Sequence, residues 1–146
     1  MTADWSSEEP GTTVEKRFEA QIAVIPDMIA FVADHAAAWG LHPQRLMQLE
    51  LAAEEALVNI CSYAYEVPPG ELTLRIQPGS SRFVVDIVDE GVPFDPLDVA
   101  EPDLRASVAD RAIGGLGILL VRRVMDEVSY RRDGSQNILT LVIKRP

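Results

Sequence analysis

The sequence predicts an α+β domain, a two-layer sandwich in which a mixed, mainly antiparallel sheet is covered on one face by about three helices. Three observations lead there. Runs of alternating apolar and polar residues, the strand signature, lie in consecutive pairs joined by short turns, so paired strands must run antiparallel. Three other runs repeat their apolar residues at helical spacing. Read along the chain, the order is strand, helix, helix, strand, strand, irregular stretch, helix, strand, strand, which segregates helices to one side of a sheet.

Each element has its own signature. Residues 1–13 are rich in Ser, Thr, Glu, Pro and Gly and are expected to be a disordered tail, leaving 14–146 as a single domain. From Val14, the positions Lys16, Phe18, Ala20, Ile22 and Val24 alternate with Glu15, Arg17, Glu19 and Gln21, a strand with one buried face. Pro26 then opens a helix with Ile29, Phe31, Val32 and Ala36 for the core and Gly40 as its stop.

The next run, His42 to Tyr65, carries a proline at its start and continues for about six turns without another helix breaker. At about 100° per residue, Leu46, Leu49, Ala53, Leu57, Ile60 and Ala64 share one face. Gln44, Gln48, Leu51, Glu55, Asn59 and Ser62 share the opposite one, and Ala52, Val58 and Cys61 add apolar surface between them. This helix is therefore expected to be covered nearly all round. A carboxylate and an amide one turn apart on such a helix are costly to bury unless something uses them.

After the VPPG turn, Leu72, Leu74 and Ile76 alternate with Thr73, Arg75 and Gln77. PGSS turns the chain back into a more deeply buried strand, Phe83 to Val88, which runs straight into Asp89-Glu90-Gly91. The stretch from Pro93 to Arg111 holds three prolines and five acids. A connection this long inside a compact domain is most often a functional lid. Gly114-Gly115-Leu116-Gly117 opens a helix with Ile118, Val121, Val124 and Met125 on one stripe. A hairpin closes the chain, SYRR to Asn137–Lys144 through the Asp133-Gly134 turn.

Composition narrows the function. With 146 residues, 47% hydrophobic and 25% charged, the chain is one ordinary globular domain. A net charge of −10 argues against direct binding of nucleic acid or of an anionic membrane. The single cysteine, Cys61, excludes an intrachain disulfide and suits a cytoplasmic location. No basic and apolar leader opens the chain, and no uninterrupted apolar stretch approaches a membrane span. His35 and His42 are expected at surface or cap positions, because no ligand cluster accompanies them. Lys16 and Lys144 are the only lysines and neither follows a Gly-rich loop, so a P-loop is excluded.

Taken singly, the short motifs are ambiguous. Asp89-x-Gly91 at a strand end is commonly a turn, and Gly115-x-Gly117 before a helix is commonly a tight entry. Their order is more specific. Glu55-x-x-x-Asn59 on a helix, Asp89-x-Gly91 after a buried strand, an acidic proline-containing lid, and Gly115-x-Gly117 opening a helix resemble the nucleotide site of the GHKL ATPase superfamily. The resemblance runs from about Val14 to Lys144. More narrowly, EEALVNICSYAY, VDEGVPFDP and GGLGILLVRRVMDEVSY are similar to the stand-alone anti-sigma-factor serine/threonine protein kinases of bacteria.

That resemblance implies the histidine-kinase-like ATPase fold, ATP and Mg2+ as ligands, and phosphorylation of an anti-anti-sigma partner on Ser or Thr. It further implies a homodimer and a sigma factor as a second partner. Glu55 would be the catalytic base and Asn59 the magnesium ligand. Asp89 would accept the adenine amino group, and Gly91 would leave room for the ring. Gly115, Leu116 and Gly117 would receive phosphate on their backbone N–H groups, where a helix N-terminus favours anions. Here the sequence departs from relatives that carry a lysine or a different spacing in the lid: with both lysines elsewhere, any cation on the terminal phosphates must be an arginine, and Arg111, and less so Arg105, are the local candidates. Two alternatives stay open: an ATP-binding partner-switching module without kinase activity, and a simple ATP hydrolase.

Overall fold

The computed structural model describes residues 11–63, 70–95, 97 and 115–145. The expected VPPG turn, Ala64, Arg105, Arg111 and most of the lid lie outside the described residues. Within them, the elements are β1 (Val14–Glu19), α1 (Ile25–Trp39), α2 (Pro43–Tyr63), β2 (Glu71–Pro78), β3 (Arg82–Asp89), α3 (Gly115–Val124), β4 (Glu127–Asp133) and β5 (Gln136–Lys144). The strands form one sheet of five in the order β1-β2-β3-β5-β4, and every neighbouring pair is antiparallel. The expected sandwich is present, and its sheet is wholly antiparallel rather than mixed.

Strand alternation fixes which side the helices take. Leu74, Ile87 and Leu139 stand in one cross-strand row, and Ile76, Val85 and Leu141 in the next, all essentially without solvent contact. These rows share one core with Met28, Val32 and Ala36 of α1 and with Leu49, Ala53, Leu57 and Ile60 of α2. On the helix-free face, Asp86 is buried but fully engaged. It accepts from Thr140 Oγ1 at 2.6 Å, Gln77 Nε2 at 2.7 Å and Arg75 Nη1 at 3.3 Å. A buried acid with three donors is a sheet cross-link, and nothing about it calls for a ligand.

Four expectations need correction. The first strand stops at Glu19 rather than continuing to Val24, and Ile22–Val24 forms a 3-10 turn with Ile22 largely exposed. Alternation alone does not reveal where the partner strand ends, and here Glu19 pairs with Glu71, the first residue of β2. In α1 the buried stripe is Ile25, Met28, Val32, Ala36 and Trp39, with Ile29 and Phe31 only half-buried at its edge. The central helix α2 is not covered all round, because Met47 is 63% and Leu51 40% exposed, one turn apart on the same face. Finally, Ile22–Trp39 does reach membrane-span length and apolarity, with a mean hydropathy of 1.4, although it contains Asp27 and Asp34 and its stripe packs into the core.

The termini of these elements follow the sequence signals. Gly40 caps α1 with φ +96°, and its N–H bonds back to Ala36 and Ala37, a conformation that disfavours any side chain. Gly134 takes φ +60° in the β4–β5 turn. His42 Nδ1 accepts the Gln44 N–H at the start of α2, the cap role expected of it.

Candidate functional site

The two long-range clamps on α2 determine what faces what. Near its start, Arg45 donates to the Val124 carbonyl at the end of α3 at 2.9 Å, and to Asp126 Oδ2 at 2.8 Å. The helices pack side by side, so this end-to-start anchor makes them antiparallel. Glu55 lies ten residues after Arg45 and Gly115 nine before Val124, about 15 and 13.5 Å at 1.5 Å per residue. Glu55 and Asn59 therefore lie toward the N-terminal end of α3, where Gly115, Leu116 and Gly117 form the first helical turn. Backbone N–H groups in a first turn have no partner within the helix, and the helix dipole is positive there.

Asn59 is buried, and its amide is oriented by one bond, Nδ2 donating to the Glu55 carbonyl at 2.9 Å. That leaves Oδ1, a buried oxygen without a partner among the described residues. An unpaired buried carbonyl oxygen suits a hard cation such as Mg2+. The Glu55 side chain is half-buried, while Glu54 points to solvent on a different face.

The end of β3 reaches the same region. Cys61, half a turn beyond Asn59, has its thiol pushed up to about 11, first by burial and then by the negative charge of Asp89. The Asp89 carboxyl is itself raised by burial, and pulled partly back by hydrogen bonds from Asn137 and Gly91 and by the charge of Arg132. Asp89 Oδ1 accepts the Gly91 N–H at 2.8 Å and Asn137 Nδ2 at 2.9 Å. Oδ2 accepts nothing among the described residues. Gly91 is buried, but its φ is not in the left-handed region, so the turn alone does not require glycine there.

Sequence reasoning missed the residues that hold this loop. Asn137 Nδ2 also donates to the Val92 carbonyl at 2.8 Å, and its Oδ1 accepts from Phe94 N–H, Arg132 Nη1 and the Tyr130 hydroxyl. Arg132 Nη1 further binds the Gly91 carbonyl at 2.9 Å. Farther along, Arg122 of α3 donates to the Leu97 carbonyl at 2.6 Å, fixing the start of the expected lid. A cavity of about 930 Å³ lies on the helix-free face beside Gln77, Arg82, Val84 and Thr140, and includes none of the candidate residues. No cluster of metal-ligating side chains occurs among the described residues.

An acid–amide pair on α2, a helix opening on glycines and a buried carboxylate at the end of β3 whose Oδ2 accepts nothing among the described residues are groups that a nucleotide-using domain employs. The family is definite: residues 18–143 match the histidine kinase-like ATPase domain, and the chain belongs to that family. It is 36% identical over 94 residues to the serine/threonine-protein kinase BtrW of Bordetella bronchiseptica, spanning 64% of this chain and 66% of that relative. It is 27% identical over 122 residues to the serine-protein kinase RsbW of Bacillus cereus, spanning 81% of this chain and 74% of the relative. Among solved structures, the RsbU and RsbW domains of Rv1364c from Mycobacterium tuberculosis superpose with a TM-score of 0.61 at 15% identity. That superposition covers 94% of this chain and 34% of the other, and it establishes a shared fold.

Proposed function

We propose that this chain is an ATP- and Mg2+-dependent protein serine/threonine kinase that acts as an anti-sigma regulatory factor and phosphorylates an anti-anti-sigma partner. The observation that carries the reading is the pairing of Glu55 with a buried Asn59 whose Oδ1 accepts nothing among the described residues, on the helix that packs beside α3. The kinase names of its relatives support the same activity.

In this reading each residue has one part. Gly115, Leu116 and Gly117 hold phosphate oxygens on unpaired backbone N–H groups. Asp89 receives the adenine amino group on Oδ2, and Gly91 lies beside the ring. Asn59 Oδ1 would hold Mg2+, which when bound would offset charge on the phosphates. Arg111 adds a cation to the terminal phosphate. The partner's Ser or Thr oxygen attacks the γ-phosphorus, the bond to the β–γ bridging oxygen breaks, and ADP leaves. The hydroxyl proton passes to the Glu55 carboxylate, a role worth about 10²–10⁴ in rate. The protein works as a cytoplasmic homodimer, for which β1 and α1 offer one contact, and a sigma factor is its second partner.

The test is transfer of labelled γ-phosphate to a partner domain. Glu55→Ala is expected to abolish transfer while Mg-ATP still raises the melting temperature. Nucleotide binding by the wild type with no phosphoprotein would point to a binding-only module. Phosphate release without any partner would point to a hydrolase.

A further inference from the structure

Asn137, the second residue of β5, is buried and makes five side-chain hydrogen bonds. Its orientation is unambiguous. The nitrogen faces two acceptors, Asp89 Oδ1 and the Val92 carbonyl, and the oxygen faces three donors, Phe94 N–H, Tyr130 Oη and Arg132 Nη1. Flipping the amide would set oxygen against oxygen twice, and nitrogen against donors three times. The side chain thus locks the Asp89 carboxylate from one side and the 91–94 backbone from the other. With Oδ1 taken by Gly91 and Asn137, the carboxylate presents Oδ2, which accepts nothing among the described residues, and a carboxylate oxygen only accepts.

We infer that Asn137 is the positioning residue for base selection: by fixing Asp89, it makes the pocket prefer a purine carrying an exocyclic amine over one carrying a carbonyl at that place. This rests on the nucleotide reading above. A 6-amino group donates to Oδ2, whereas a 6-oxo group sets one acceptor against another in a buried setting, where an unpaired polar atom is penalised. A carboxylate free to rotate would soften that distinction by turning away.

Binding of Mg-ATP and Mg-ITP to the full chain, by calorimetry, tests it. The wild type should favour ATP on the order of tenfold to a hundredfold, the size expected of one hydrogen bond to a charged group. Asn137→Asp keeps the shape and the three accepted bonds but replaces the donor with an oxygen. It should weaken ATP at least tenfold, leave ITP within about threefold, and so erase the preference. Tyr130→Phe, which spares both donations from Nδ2, should keep it. Equal wild-type affinity for the two nucleotides would sink the assignment of Asp89 to the base, and this inference with it. A wild-type preference that survives in Asn137→Asp, or a parallel loss of both nucleotides, would overturn the inference alone. Should that variant not fold, amide NMR of the wild type decides: the Asn137 side-chain protons should exchange slowly and shift with Mg-ATP but not with Mg-ITP. Fast exchange, or the same shift with both, would refute the role.

Discussion

Arg45→Met tests whether the site is set from its far end. Methionine keeps the aliphatic stem of Arg45 and removes three contacts, to Gln48 Oε1 at 2.6 Å, the Val124 carbonyl at 2.9 Å and Asp126 Oδ2 at 2.8 Å. The Arg45 and Asp126 side chains are 31% and 36% exposed, so solvent screens the ion pair and it contributes only about 0.5 kcal/mol. The bond to a carbonyl at the C-terminal end of α3 adds about 1 kcal/mol, from the hydrogen bond and the helix dipole together. A total near 1.5 kcal/mol corresponds to a fall of about 3–6 °C in a chain of this size. Because α3 is anchored to α2 at this end, the same change should loosen its first turn against Glu55 and Asn59 and weaken Mg-ATP several-fold. Thermal melting with and without nucleotide measures both effects. An unchanged melting temperature together with unchanged affinity would refute the clamp and the antiparallel alignment drawn from it.

Two further outcomes follow from the titrating groups near the pocket. The Cys61 thiol is raised from 9.0 to about 11, so at pH 8 its thiolate fraction is about a hundredfold smaller than in the unfolded chain. Alkylation of this sole cysteine by iodoacetamide should be slower by at least that factor in the native protein than in denaturant, and comparable rates would contradict the burial beside Asp89. Asp89, raised from its ordinary 3.8, holds its proton to higher pH when folded than when unfolded. Its contribution to stability is complete below 3.8 and is lost as pH rises through the raised value. The melting temperature of the wild type relative to Asp89→Asn should therefore decline across that window and then level off. A constant difference would mean that the carboxyl is not desolvated.

Much of the fold was legible because it depends on periodicity. Leu72, Leu74 and Ile76 declare a buried strand face by spacing alone, and Gly40 and Gly134 declare turns through conformations that side chains resist. What escaped were features set by a partner element. The end of β1 depends on where β2 begins, and the exposure of Met47 and Leu51 depends on what covers α2, neither of which is written in the local pattern. The same distinction runs through the site. Glu55, Asn59, Asp89 and the glycines around 115 stand out because carboxylates, amides and glycines are conspicuous in apolar or helical surroundings.

Asn137 escaped for a different reason. It pairs directly across the sheet with Asp89, although 48 residues separate them in the chain. Its importance lies in a register that no local pattern encodes. Groups that would touch the nucleotide are thus visible in the sequence by type, whereas the groups that orient them become visible only once the strands are aligned. The Asp89 carboxylate has two oxygens, and the chain commits one of them to its own backbone and to Asn137. In the proposed reading, recognition of a base would fall to a single acceptor at the end of β3, which would give it direction as well as charge. Were Asp89 instead held by a flexible loop residue, the same carboxylate would still attract donors but would discriminate poorly between them, because rotation could accommodate either base.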